Sequence, residues 1–375
     1  MCRRGALKHI AVLGATGSIG RSTLDVIRAN RETLKPVLFT ANSNEKALSA
    51  LGAEFPSAKT VLCGSKKGIL EKAIAECGAD IAVNGIAGSD GLLPSLAVLE
   101  NGIDLALANK ETIVMASALV FAASAKSGSA LIPVDSEHSA IFNLINAHGR
   151  ENVKEIIITA SGGPFRKFSA EQLKSVRPQD ALSHPTWNMG AKITIDSASL
   201  ANKGLEVIEA AKLFGFNDSS KIKVVVHPQS IIHSMVRLKN GAVFAEASQP
   251  DMRVPIHDAI FFPDVVDSPF GLLDFDDLNL SFEKPDLKRF PMLKLAYDAL
   301  NAGGSYTIAY NAANEIAVKQ FMEGRIGFMD IPEVCEKVLQ MDFSLEPDSI
   351  QSILASDENA RNLCRHHLGA CTSAA

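Results

Sequence analysis

A short apolar run, Ile10-Ala11-Val12-Leu13, leads straight into Gly14-Ala15-Thr16-Gly17-Ser18-Ile19-Gly20. The run reads as a buried parallel strand, and the segment from Ser18 to Asn30 carries Ile19, Thr23, Val26 and Ile27 at helical spacing. Glycines at this junction allow a tight turn and close approach of backbone to a pyrophosphate. The helix start adds free N–H groups and positive dipole charge. The pattern predicts a nucleotide-binding βαβ unit; the competing reading is a glycine turn that serves helix–strand packing alone.

Further apolar runs at 37–41, 61–63, 81–84 and 105–108 alternate with helical stretches, one of them marked by Ala47, Leu48 and Leu51. That alternation predicts a parallel sheet covered by helices over 1–134. From 135 to 263 the texture changes to strands at 156–159, 192–195 and 224–226 among polar, glycine-bearing turns. Residues 264–291, rich in Pro, Asp and Phe and without periodicity, read as a linker. Residues 292–375 read as a small helical bundle, with Leu293, Leu295, Ala296 and Leu300 on one helix and further helices at 311–321 and 331–339. A chain of 375 residues, 47% hydrophobic and 21% charged, has the length and core for such a multi-domain α/β protein.

A net charge of -5 without a basic stripe argues against a nucleic-acid partner, so an anionic ligand needs a local pocket. Six widely spaced cysteines without a CxxC pair favour free thiols in a reducing, cytoplasmic compartment over disulfides. The start, Met1-Cys2-Arg3-Arg4-Gly5, runs into the strand pattern without an apolar targeting core, so no secretory segment is expected. No run is apolar for long enough to span a membrane.

The second strand bears on the choice of nucleotide. An NAD site usually places an acid there to bind the ribose 2′-hydroxyl. Here the strand ends in Thr40-Ala41-Asn42-Ser43-Asn44, where nothing repels a 2′-phosphate, so NADP fits better than NAD.

The chemically expressive residues lie in the middle of the chain. If the strand before Val134-Asp135-Ser136-Glu137-His138 continues, Asp135 and Glu137 share a face, where they repel unless a cation sits between them. A hard divalent metal would satisfy both, with Glu206 as third ligand; the alternative is a pair of surface acids flanking a turn. Glu206 lies where a helix is expected to bury Leu205, Ile208 and Ala211. Ser161-Gly162-Gly163, Asp196-Ser197-Ala198-Ser199, Asn202 and Lys203 offer small donors and one cation that suit a phosphate monoester, or else ordinary capping. His184-Pro185-Thr186-Trp187-Asn188-Met189-Gly190 holds the only Trp, which reads as a lid over a ligand rather than as core. His227 and His233 admit a catalytic role, with a structural one the default.

The ordered set Gly14 to Gly20, Asn109-Lys110-Glu111, Val134 to His138, Ser161 to Phe165, His184 to Gly190, Asn202 to Glu206, His227 to His233 and Asn311-Ala312-Ala313-Asn314-Glu315 resembles the 1-deoxy-D-xylulose 5-phosphate reductoisomerases, from about Ile10 to the C-terminal helices. The resemblance implies an α/β protein with an N-terminal Rossmann-like NADP-binding domain, an α+β catalytic domain carrying a homodimer interface, and a C-terminal helical bundle. It implies reduction and rearrangement of a sugar phosphate to 2-C-methyl-D-erythritol 4-phosphate in non-mevalonate isoprene biosynthesis, with NADPH and Mg2+ or Mn2+. It assigns Asp135, Glu137 and Glu206 to the metal. Ser161, Ser197, Asn202 and Lys203 fall to the substrate, largely around its phosphate, and Lys110, Ser136 and His184 complete that site. Thr16, Gly17, Ser18, Ile19, Asn109, Glu111 and Gly190 fall to the nucleotide, with Asn42, Ser43 and Asn44 at its ribose turn; Trp187 and Met189 fall to the lid. Two departures stand out. The ribose turn lacks the family's glycine and any basic residue, and the turn from Gly85 to Gly91 is less Gly/Ala-rich than usual. NADP-dependent semialdehyde and acyl-phosphate reductases also start with a strand and Gly-Ala-Thr-Gly. They need a nucleophilic Cys near a His, and the middle of this chain has no Cys.

Overall fold

Strands β1 (Lys8–Leu13), β2 (Leu34–Ala41), β3 (Lys59–Leu62), β4 (Ile81–Asn84), β5 (Asp104–Leu107) and β6 (Leu131–Pro133) form one sheet in the order β3-β2-β1-β4-β5-β6. Every pairing in it is parallel. The computed structural model describes residues 7–64, 68–181 and 190–372. Parallel strands are covered on both faces and favour unbroken apolar runs. Ile10, Val12, Leu13, Ile81, Val83 and Leu105 are accordingly sealed from solvent. The strand order reverses between β1 and β4, and such a switch point leaves a crevice at the carboxyl ends of the strands. Helix Ser18–Ala29 buries Leu24, Val26 and Ile27. It also packs against helix Arg253–Phe261, which returns from later in the chain, and Lys8 Nζ donates to Ile260 O over 2.6 Å.

By its contacts the chain divides into two compact units. The first comprises Met1–Thr112, Ser117–Ser139 and Asp251–Leu273; the second comprises Ile113–Ala116, Ala140–Pro250 and Asp274–Ala375. In the second unit β7 (Val153–Ala160), β8 (Ile222–Val226), β9 (Ile232–Leu238) and β10 (Val243–Ala247) form a mixed sheet in the order β10-β9-β7-β8. β7 pairs parallel with β8 and antiparallel with β9, and β9 pairs antiparallel with β10. Ile156 and Ile158 of β7 belong to one apolar cluster with Leu205, Ile208, Ala296 and Tyr310 of the surrounding helices. Those helices are Ala201–Leu213, Met292–Ala302, Tyr306–Met322, Asp330–Leu339 and Ile350–Thr372. Between residues 263 and 291 the backbone is irregular apart from a single bridge, Val226 to Glu283.

The α/β fold class agrees with the sequence reading, but two local expectations do not hold. Residues 192–195 lie in a helix, Ala191–Ser199, not a strand. Ile193, Thr194 and Ile195 have strand-favouring side chains, yet Thr194, Ile195 and Ala198 are buried along one helical face, and Lys192 pairs with Asp196 one turn away. The strand before Asp135 does not continue either. It stops at Pro133, and helix Ser136–His148 begins. No helix among the described residues is long and apolar enough to cross a membrane.

Candidate active site

The first unit holds the glycine turn. Gly14 takes φ +76°, and a Cβ there would lie 3.2 Å from Gly85 O, so both conformation and space demand glycine. Gly14 N donates to Thr40 Oγ1 (3.1 Å) and Ala15 N to Thr40 O (2.8 Å), which ties the turn to the end of β2. Gly17 caps the following helix without a side-chain hydrogen bond, and the first turn has no acid. The leading N–H groups beside Thr16, Gly17, Ser18 and Ile19 therefore suit an anion. Past β2, Asn42 and Ser43 are exposed. Asn44 instead caps helix Glu45–Glu54, accepting from Ala47 N at 3.1 Å. Asn109 is also engaged inside the protein. Its Nδ2 donates to Ile86 O, Gly88 O and Glu111 Oε2 at 2.7–3.0 Å, and its Oδ1 accepts from Thr112 N at 3.0 Å.

The same unit holds the acid motif. Because the strand ends before it, Asp135 acts as a helix cap, its Oδ1 accepting from Glu137 N (3.1 Å) and His138 N (3.4 Å). The other oxygen, Oδ2, pairs with Lys110 Nζ at 2.7 Å, both side chains being largely out of water. His138, fully buried, places Nδ1 3.0 Å from Asp135 Oδ1, and Ser136 Oγ donates to Glu137 Oε2 over 2.6 Å. Lys110, Asp135, Ser136 and Glu137 are thus neighbours. His138 was not singled out by the sequence reading, although its place three residues after Asp135 was a usable signal.

The second unit gathers the other polar set. Gly162 and Gly163 follow β7 with φ of +82° and +66°, and a Cβ on Gly163 would strike Ala198 Cα and Ser197 O at 2.9 Å. The loop bearing Ser161 is thereby pressed onto helix Ala191–Ser199, which bears Ser197. Leu200, at φ +62°, turns the chain sharply into helix Ala201–Leu213. On its first turns Asn202 Nδ2 donates to Glu206 Oε1 (2.5 Å) and Lys203 Nζ pairs with Glu206 Oε2. Lys203 and Glu206 are both buried. Asp196, also buried, is held by Lys192 Nζ and Asn314 Nδ2, each at 2.8 Å. That brace was not read from sequence, because its parts lie 118 residues apart.

Gly190 caps helix Ala191–Ser199; His184, Trp187 and Met189 lie outside the described residues. His227 is structural. Its Nε2 accepts from Ile231 N and Ile232 N (3.1 Å each), its Nδ1 faces Ser281 O (2.9 Å), and burial holds its pKa below the ordinary histidine value. His233 places Nε2 2.9 Å from Ser248 Oγ. The semialdehyde-reductase alternative is not favoured. Burial raises the pKa of Cys63, Cys77 and Cys335 and pushes Cys364 up to about 12, the reverse of an activated nucleophile.

Models of the 1-deoxy-D-xylulose 5-phosphate reductoisomerase family match residues 10–68 and 56–117, and models of its C-terminal domains match 131–214 and 247–363. The reductoisomerase of Treponema denticola is 50% identical over 364 residues, covering 94% of this chain and 95% of the relative. The Zymomonas mobilis reductoisomerase, solved in complex with NADPH, superposes with a TM-score of 0.87 at 40% identity over 96% of this chain and 99% of the other. A DOX-P reductoisomerase solved with NADPH, fosmidomycin and magnesium gives 0.89 at 34% identity over 98% and 99%. The sheet order and glycine turn define a protein of the Rossmann-type nucleotide-binding class. Within that class the chain belongs to the 1-deoxy-D-xylulose 5-phosphate reductoisomerase family, and it is an oxidoreductase.

Proposed function

We propose that this chain uses NADPH and a divalent cation, Mg2+ or Mn2+, to convert 1-deoxy-D-xylulose 5-phosphate into 2-C-methyl-D-erythritol 4-phosphate for isoprene biosynthesis. Family membership and the NADPH- and magnesium-bound relatives support the reaction and its cofactors. In this reading 1–134 binds the nucleotide, 135–263 binds metal and substrate, 264–291 links, and 292–375 is a C-terminal helical domain. Asp135, Glu137 and Glu206 hold the cation; a set of three carboxylates suits a hard ion. Ser161, Ser197, Asn202 and Lys203 take the phosphate, and Lys110, Ser136 and His184 complete the substrate site. When bound, the cation supplies a Lewis acid for the substrate carbonyl and NADPH supplies the hydride. The chain's own work is orientation. His138 and Lys110 fix the Asp135 carboxylate, Ser136 aims that of Glu137, and the Leu200 turn starts the helix bearing Lys203 and Glu206.

The observation that carries this reading is the buried Lys203–Glu206 pair. Charges taken out of water cost several kcal/mol each, and an apolar pair would pack in a helix at lower cost, so the presence of this buried pair points to a task beyond folding. Glu206→Gln tests it. Activity at a fixed low metal concentration should fall by about a hundredfold or more, as expected on losing a ligand. Near-normal turnover across a metal titration would remove Glu206 from the metal site.

We further propose a cytoplasmic homodimer. The free thiols of the described cysteines suit a reducing compartment. The edge strand β10 exposes Val243 and Phe244, a surface that a second copy could cover.

A further inference from the structure

The turn after β4 is held from within by a closed set of side chains. Asn84, the last residue of β4, is sealed from solvent. Its Oδ1 accepts from Ile86 N (3.1 Å), and its Nδ2 donates to Gly91 O (3.0 Å) and Ser95 Oγ (2.8 Å). Ser95, equally buried, donates to Gly91 O over 2.8 Å. From the opposite side the Asn109 amide takes the carbonyls of Ile86 and Gly88 (2.8 and 2.7 Å). A Cβ on Gly91 would lie 2.5 Å from the Asn109 side chain, so the two halves of the network close tightly on each other. The carbonyls of Ile86, Gly88 and Gly91 thus each take a side-chain donor, in a turn whose residues Gly88–Gly91 form a 3-10 helix leading into helix Leu92–Glu100. Such a turn has its shape before any ligand arrives, which lowers the ordering cost of binding.

Its position gives the network a purpose. Gly85 N donates to Leu13 O (3.0 Å), so the turn begins beside the glycine turn, across the switch point from β2. In a doubly wound sheet a dinucleotide lies across that point, one mononucleotide over each half. The end of β2 serves the adenosine ribose, which leaves the β4 side to the nicotinamide mononucleotide. We infer that Asn84 and Ser95 are positioning residues that preset the turn from Gly85 to Gly91 as the seat of the nicotinamide half of the cofactor. The inference rests on the dinucleotide reading above. Neither side chain touches the cofactor; both act through the backbone of the turn.

The test compares two ligands by calorimetry on wild type, Asn84→Ala and Ser95→Ala: NADPH, and adenosine 2′,5′-bisphosphate, which carries the adenosine half alone. Loss of the buried amide should raise the NADPH dissociation constant about tenfold, with KM for NADPH rising in parallel, the scale expected when buried hydrogen bonds are lost. The bisphosphate should bind all three proteins within about twofold of one another. Ser95→Ala removes only a hydroxyl, shifts NADPH binding in the same direction by less, and carries the test should Asn84→Ala fail to fold. Equal weakening of both ligands would reduce the network to a general structural role and overturn the inference, as would unchanged NADPH binding. Failure of the wild type to bind either ligand would overturn the dinucleotide reading itself.

Discussion

Burial lowers the Lys212 ammonium from its ordinary value of 10.5 to about 8, with Glu346 the opposing charge. Its Nζ donates to Val114 O (2.7 Å) and Thr307 Oγ1 (3.0 Å). Val114 O is available because helix Lys110–Ser127 breaks at Ala116 (φ -139°, ψ 29°). Between about pH 8 and 10.5 the unfolded chain holds the lysine proton and the folded chain does not, so stability rises with pH through that window and is flat below it. Urea unfolding of wild type and Lys212→Met should therefore show wild type gaining on the variant from pH 8 to 10.5; a constant difference would contradict the burial argument. At this scale the residue types singled out the acids at 135, 137 and 206 as candidates, while the resemblance supplied their proposed role. The sequence did not give the roles of His138, Asp196 and Asn84. Their roles come from partners that only the fold supplies, such as Asn314 for Asp196.

Helix Ala201–Leu213 is the element on which the second polar set depends. Gly204 lies between Lys203 and Glu206, and a Cβ there would fall 2.5 Å from Tyr310 Oη and 2.7 Å from Ala296 Cβ. Gly204→Ala should destabilise the protein by about 1–3 kcal/mol through overpacking, and should reduce activity by displacing the polar turn. Adding Tyr310→Phe removes the nearer obstacle, so the double variant should recover part of the loss in both unfolding midpoint and turnover. Additive losses would mean that Gly204 does not act through this contact. The elements themselves were unevenly legible. The buried strands of the first sheet announced themselves because both faces are apolar. β9 and β10 did not, because Ile232–Leu238 mixes apolar and polar residues without a period of two, and Val243–Ala247 is half exposed. Residues 192–195 read as a strand because β-branched composition outweighs a helical period that Lys192–Asp196 pairing makes visible only in the fold.

For the whole molecule the two-unit division was not visible in the sequence. Residues 251–273 belong with the nucleotide-binding sheet although 111 residues (140–250) of the second unit precede them. That return is a tertiary event with no local signature. The dimer proposal makes its prediction here: light scattering should give twice the chain mass, and Phe244→Glu on the exposed edge should shift the protein toward monomer. A monomeric wild type would remove the proposal without touching the chemistry. The central claim is tested most directly by following nicotinamide absorbance with 1-deoxy-D-xylulose 5-phosphate, with NADPH or NADH, and with or without Mg2+ or Mn2+. Oxidation of NADPH that requires both the metal and the substrate, and that outpaces NADH, is the predicted result. Folded protein that binds NADPH but leaves it unoxidised under every condition would contradict it.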